Sequence, residues 1–340
     1  MHSSQRSGLP AINSVIPINE QKNNFKWAEY IFIFSFMVLI VSLSFVVLPF
    51  SLLLITLIPL PILIATYRYN NLLAAVVAAL VSIFFALFLQ DSTMVILVLS
   101  MSTVGIGVGN AMKEKLPYKK VLIIGIVSSL ITISLLGLGL SLVTGQSIKL
   151  LYKETTEKML QELASVQPTN QAMLEQAQAT INLFNILFPS MLFTGAVAIA
   201  GINVMAGSFV LKKLGLEEIP SLPPISNWAF PSWLSIAYFI LWPLTLLNVF
   251  PDIVSIVISN LHHAVRWFLV IQGLSVIIYF LKTVRMPKWI KIIILLPVYF
   301  FSSWFLALLG ALDPWLKYRG RLRLYQEELK KDKKGPDKQE

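Results

Sequence analysis

The sequence predicts an all-α, polytopic transmembrane helix bundle of about nine spans (eight to nine), with an extracytoplasmic helical hairpin. Three observations predict it. Between Trp27 and Gly310 the 340-residue chain lays down a series of apolar stretches with almost no charge inside them. Hydrophobic residues make up 56% of the chain and charged residues 13%, against about 25% charged in a soluble domain. Most stretches reach the roughly 20 residues that cross a hydrocarbon core as a helix.

The elements follow in chain order. Residues 1–26 form a polar tail rich in Ser, Asn and Gln. Spans are expected at 27–48, 50–66, 72–89, 93–112, 121–143, 182–211, 233–250, 264–282 and 290–310. The first is too long for a signal-peptide core and is read as a retained helix. The second is short and holds Pro59 and Pro61, so it reads as a broken helix whose freed carbonyls a neighbour must satisfy. The sixth is longer than a membrane requires, and Pro189 marks its expected kink.

Residues 149–176 read as the helical hairpin outside the membrane. Leu151, Met159, Leu163 and Val166 recur near helical spacing, and Pro168 breaks the pattern before Thr169 or Asn170 caps a second helix. Residues 214–232, with Pro220, Pro223, Pro224 and Pro231, read as a stiff cytoplasmic connector. Trp228, Phe230 and Trp233 end it as an interfacial aromatic anchor would. The bundle extends over 27–312, and 313–340 reads as a charged tail.

The net charge is +10. The cations sit at span ends and in the tail, where positive-inside bias and lipid headgroups account for them, and no nucleic-acid partner is expected. Placing the N-terminus in the cytoplasm puts Arg68, Lys113, Lys115, Lys119, Lys120, Lys212, Lys213 and Lys282 there too. Nine spans would then export Lys317, Arg319, Arg321 and Arg323, against the bias. Folding 233–262 as a re-entrant hairpin would leave eight spans but export the cations of 282–291. The side of the C-terminus stays open.

No ionisable residue occupies the middle of a span: Asp91, Asp252, Arg266 and Asp313 lie near span ends. That pattern argues against proton relays and voltage sensors. With no cysteine, three histidines, no carboxylate pair and no His-Glu zinc motif, no catalytic or metal site and no cofactor is expected. The neutral polar groups remain. Asn203 lies deep in the sixth span and Gln272 deep in the eighth, while Asn110, Asn185 and Asn248 lie near span ends. Each amide requires a partner in lipid, either as interhelical glue or as a ligand contact in a central cavity. Asn260, His263 and Arg266, with His262, form a polar mouth to the eighth span, where Arg266 either binds an anion or snorkels to headgroups. Adjacent histidines point about 100° apart on a helix, so 262 and 263 do not share a metal. Small residues (Ala74, Ala75, Ala78 and Ala79; Gly105, Gly107 and Gly109; Gly195, Ala196, Ala200, Gly201 and Gly207) mark expected close helix approaches.

Several short motifs recur in one order. Pro59-Leu60-Pro61 precedes Arg68 and a small-residue span, and the Pro-rich connector ends in Trp228–Pro231. Asn260-Leu261 is followed by Gln272-Gly273-Leu274-Ser275, and Leu309-Gly310-Ala311-Leu312-Asp313-Pro314-Trp315 closes the series before Lys317-Tyr318-Arg319. Over about residues 27–323 the chain resembles the YybS-like family of uncharacterised bacterial multi-pass membrane proteins, a domain of unknown function. The resemblance implies a bacterial cytoplasmic-membrane protein, distantly similar to the S components of energy-coupling-factor transporters. Those cup a small molecule near the outer face and dock on a coupling subunit through small residues of the first helix. Here the first span offers Ser35, Ser42 and Ser44, with no Ala-x-x-x-Ala.

The expectation is therefore a non-enzymatic, S-component-like small-molecule-binding or transport subunit, with Asn203, Gln272, Asn260, His263 and Arg266 as ligand contacts. The alternative is a non-catalytic membrane scaffold or cell-envelope assembly factor. Expected partners are the lipid bilayer and other membrane proteins.

Overall fold

The structure, a computed structural model, describes residues 18–47, 50–90, 92–166, 171–216, 218–247, 250–283, 287, 289–290, 303–321 and 324. Asp91, Pro168, Thr169, Asn170, Asn248, Lys291 and Arg323 lie outside the described residues. The described chain is helical, joined by turns and the extended connector. Its helices are α1 (Ile18–Val46), α2 (Ser51–Thr56), α3 (Pro59–Arg68), α4 (Asn71–Leu89), α5 (Ser92–Lys113) and α6 (Tyr118–Thr144). There follow α7 (Ile148–Val166), α8 (Gln171–Lys213), α9 (Ser232–Leu246), α10 (Asp252–Thr283) and α11 (Ser303–Leu316). Among the described residues seven segments are long and apolar enough to cross a membrane, α2 and α3 counting as one, and α9 and α11 are shorter apolar helices.

Helix boundaries have local causes. Asn70 caps α4, its Oδ1 accepting from the Leu73 N–H at 2.8 Å. α5 ends with Lys115 in the left-handed region (φ 53°), which lets the Leu116 N–H reach back to the Ala111 carbonyl. α8 ends in the same way on Gly215 (φ 83°), with Leu216 N–H on Leu211 O. The second arm of the hairpin expected at 149–176 is no separate helix. It is the start of α8, whose 43 residues run unbroken through Pro189 and span roughly 64 Å at 1.5 Å per residue.

Apolar side chains collect in two cores. The first gathers Met37 and Val41 of α1, Ile62 and Leu63 of α3, Val81 of α4, Val104 and Met112 of α5 and Val204 and Leu211 of α8. The second gathers Tyr238 of α9, Leu269 of α10 and Leu306 and Ala311 of α11. The opposite faces are also apolar: Ile123, Val127, Ile131, Leu138 and Leu142 run exposed along α6. A stripe of that size is an aggregation hazard in water and an ordinary surface in lipid.

Small residues divide by what they face. A Cβ on Gly105 would stand 2.6 Å from the Pro59 carbonyl oxygen, and one on Gly109 would stand 2.8 Å from Thr66 Cβ, so α5 rides directly on the α3 backbone. Gly273 and Gly310 bring α10 and α11 into the same backbone contact, Gly273 on Leu306 and Gly310 on Leu269. Gly207 packs on Leu63. Gly195 and Gly201 meet nothing within 4 Å, and in that run it is Ala200 that packs closely, on Gly125 of α6.

The end of the bundle departs from expectation. Arg266 of α10 meets Ser303 at the start of α11, Gln272 meets Asp313, and Ser275 meets Arg319. These pairings advance together along both chains, so α11 runs parallel to α10. A single span over 290–310 would run antiparallel to its predecessor. Residues 291–302 of that span lie outside the described residues, and the described helix continues through Asp313 to Leu316. Arg319 consequently arrives beside the connector and the end of α10.

Candidate functional site

Three side-chain amides, those of Asn203, Asn260 and Gln272, bond backbone groups close to prolines. Pro59 and Pro61 have no N–H, and the turn between α2 and α3 tightens to i→i−3 bonds: Leu57 to Leu54 O, Ile58 to Ile55 O and Leu60 to Leu57 O. The Leu60 N–H is the ordinary helical donor to the Thr56 carbonyl, and that turn takes it away. Asn203 of α8, fully buried, replaces it: its Nδ2 donates to Thr56 O at 2.7 Å and to Ile199 O of its own helix at 2.9 Å. Its Oδ1 is buried without a hydrogen-bond partner.

Asn260 serves a second proline turn, inside the continuous α8. Pro189 crowds α8 where the Ser190 N–H would bond the Ile186 carbonyl. Asn260 inserts its amide between the two: Ser190 N–H donates to Asn260 Oδ1 at 2.9 Å, and Asn260 Nδ2 donates to Ile186 O at 2.7 Å. His263 stands one turn along α10 and meets Ser190 Oγ through Nδ1 at 2.9 Å. The Trp267 indole donates to His263 Nε2 at 3.1 Å. That fixes Nδ1 as the protonated nitrogen, so the imidazole donates to Ser190 Oγ, which donates to Leu187 O. Asn260 and His263 thus act together on one turn of α8. His262 and Arg266 leave that group. His262 stacks on Tyr238 of α9, ring centroids 5.4 Å apart, and Arg266 donates to Ser303 Oγ at 3.1 Å.

Gln272 serves the connector. Its Oε1 accepts from the N–H of Phe230, the residue before Pro231, at 3.0 Å, and its Nε2 donates to Asp313 Oδ2 at 3.3 Å. Asp313 is the surprise of the molecule. Read from sequence as the start of a tail, it is buried in α11 and paired with Arg319 at 2.5 Å. Lys317 adopts φ 50°, and the chain turns there so that Arg319 comes back over the carboxylate. Arg319 Nη1 also donates to the Trp228 carbonyl at 2.9 Å, which accepts from Ser275 Oγ at 3.0 Å as well. Lys282 Nζ donates to Ser226 Oγ at 2.7 Å.

The connector is therefore a strap fastened along its length. Ser208 Oγ donates to Pro220 O, Lys212 Nζ to Ser221 Oγ, and Lys115 pairs with Glu218. The hydrogen bond and charge of Lys115 hold the Glu218 carboxyl below the ordinary carboxylate range, and Glu218 raises Lys115 in turn. The expected aromatic anchor is divided. Trp228 donates its indole N–H to Pro223 O, Phe230 packs on Phe268 at 5.3 Å, and Trp233 stays 60% exposed. Sequence reading missed Asp313, Arg319, Ser226, Ser275 and Lys282 as one site. The signal was present in Asp313-Pro314, a carboxylate and a helix-breaker inside an apolar run.

Asn203 packs beside the first core and Gln272 beside the second, and neither lines the two depressions found among the described residues. An apolar groove of about 510 Å³ lies between α10 and α11, and a shallower depression of about 420 Å³ lies between Lys115 and Ser221. Among the described residues no three His, Asp or Glu side chains gather as a metal site would require.

No curated protein and no solved structure matches this chain. A family match does extend from the first span to α11, over residues 34–314. That range holds the second core, all of the first but Ile33, the three amides and Asp313, and the chain belongs to the family described as Predicted membrane protein (DUF2232).

Proposed function

We propose that this protein is a non-catalytic scaffold of the bacterial cytoplasmic membrane, with the strapped connector facing the cytoplasm and α7 outside. The observation that carries the reading is the use of three side-chain amides. Asn203 and Asn260 bond backbone beside helix prolines and Gln272 bonds the connector, and a rigid bundle is what a platform for other membrane proteins requires. The basic ends of α5, α8 and α10 and the fastened strap support the orientation through the positive-inside bias. In-cell crosslinking of the full chain against a variant lacking 149–176 tests it. Loss of specific membrane-protein adducts is expected, and an unchanged adduct pattern removes the platform role from this excursion.

One observation favours the S-component-like, small-molecule reading that the YybS-like resemblance implies: Asn203 Oδ1 is buried and unpartnered. A thermal-stability screen of the purified protein with vitamins and nucleobases tests that reading. A shift that Asn203→Ala abolishes would support it over the scaffold.

A further inference from the structure

The groove between α10 and α11 is apolar almost throughout, and two polar side chains border it. Its walls are Val276, Ile277 and Phe280 of α10 and Phe305 and Leu309 of α11, without a polar group among them. Its remaining lining is Tyr318 and Arg321. The volume, about 510 Å³, lies within the range of roughly 300–1,000 Å³ that ligand pockets occupy. Phe280 and Phe305 are about half exposed, so the groove opens on the surface that a membrane-embedded bundle turns to lipid.

The turn at Lys317 brings those two side chains to the groove. Residues 318–321 form one helical turn, which places Tyr318 and Arg321 on one face at i, i+3. Arg319, between them, points to Asp313, and that pair neutralises itself. Arg321 is exposed and stands at the groove. Together the last turn of α10 and residues 313–321 hold four cations (Lys282, Lys317, Arg319 and Arg321) and a single carboxylate. An apolar trough bordered by Tyr318 and by the exposed cation of Arg321 fits an amphiphile with a negative head. Basic pockets between transmembrane helices recognise lipid phosphates in this way.

We propose that this groove binds one anionic phospholipid, an acyl chain lying against Ile277, Phe280, Phe305 and Leu309 and the phosphate meeting Arg321 and Tyr318. Native mass spectrometry of the full chain in mild detergent tests it, with phosphatidylglycerol and phosphatidylcholine of identical chains titrated in competition. The wild type is expected to retain one phosphatidylglycerol in preference. Arg321→Gln should reduce that preference about five-fold, the effect of one surface cation on an anionic lipid. Ile277→Trp, which fills the trough, should release both lipids. Inorganic phosphate at the same concentration should displace neither, since it lacks the chain. Equal retention of the two lipids by the wild type overturns the proposal without reliance on any variant. So does undiminished preference in Arg321→Gln, or displacement of the lipid by inorganic phosphate.

Discussion

Replacing Asn260 and Pro189 with alanine, singly and together, isolates the repair at the Pro189 turn of α8. In the wild type the amide accepts from Ser190 N–H and donates to Ile186 O, two groups that would otherwise bond each other. Asn260→Ala leaves both without a partner while the proline ring still holds them apart. Each such bond contributes about 0.5–1.5 kcal/mol net, toward the low end inside membranes, so the single change should cost about 1–2 kcal/mol. In the Pro189→Ala background the helix closes, Ser190 recovers Ile186 directly, and removing Asn260 should cost little. The coupling energy of the cycle therefore approaches the full cost of the single change. Unfolding in mixed micelles with increasing dodecyl sulfate, followed by circular dichroism, measures all four proteins. Additivity within about 0.5 kcal/mol, the behaviour of independent sites, would refute the repair argument.

Arg319→Ala strands the Asp313 carboxylate, whose side chain is 7% exposed against 17% for its partner. Stability should fall by roughly 3 kcal/mol, the lower end for a broken buried pair, and Asp313→Asn in the same background should restore part of it in the same unfolding assay. Gly310→Ala forces a methyl onto Leu269 backbone and should cost about 1–3 kcal/mol, whereas Gly201→Ala meets open space inside α8 and should be neutral or stabilising by up to about 1 kcal/mol. The Lys115–Glu218 pair sets a pH window. Glu218 is lowered, so its contribution holds above the unfolded carboxylate value near ~4.3 and is lost as pH falls through the lower folded value. Lys115 is raised, so its contribution holds below ~10.4 and is lost only above that. The difference in melting midpoint between wild type and Glu218→Gln should therefore stay constant from about pH 5 to pH 10, and drift near neutrality would contradict the pairing. The chain has no cysteine, which allows clean single-cysteine labelling. Ser221→Cys and Gly320→Cys should react from one side of the membrane and Thr155→Cys from the other, and labelling of 221 and 320 from opposite sides would overturn the parallel packing of α10 and α11.

The spans are legible in sequence because lipid leaves the backbone almost no alternative to helix, and a run such as 72–89 announces itself by composition alone. The depth of Asn203 and Gln272 is legible for the same reason. What they touch is not. The repaired backbone lies 147 residues from Asn203, 70 from Asn260 and 42 from Gln272, and nothing local to an asparagine indicates which distant proline it serves. Proximity in sequence also misled at 260–266, where four polar residues suggest one mouth. On the helix they point apart, and only Asn260 and His263 reach Ser190. The direction of α11 is invisible in hydropathy, because an apolar helix reads the same both ways. Asp313 shows the remaining limit: charge at the edge of an apolar run reads as an exit from the membrane unless its counter-ion, six residues on, is known to fold back.

The clasp over Asp313 also has an order in time. Its carboxylate, the Gln272 amide and the carbonyls of Ser226 and Trp228 are all synthesised before Arg319, the group that joins them. A chain cut between 313 and 319 would keep the strap bonds that Gln272, Ser275 and Lys282 make and would lack the group that pairs with Asp313. Arg319 is the last of the clasp's groups to be synthesised, so the carboxylate waits six residues for its counter-ion.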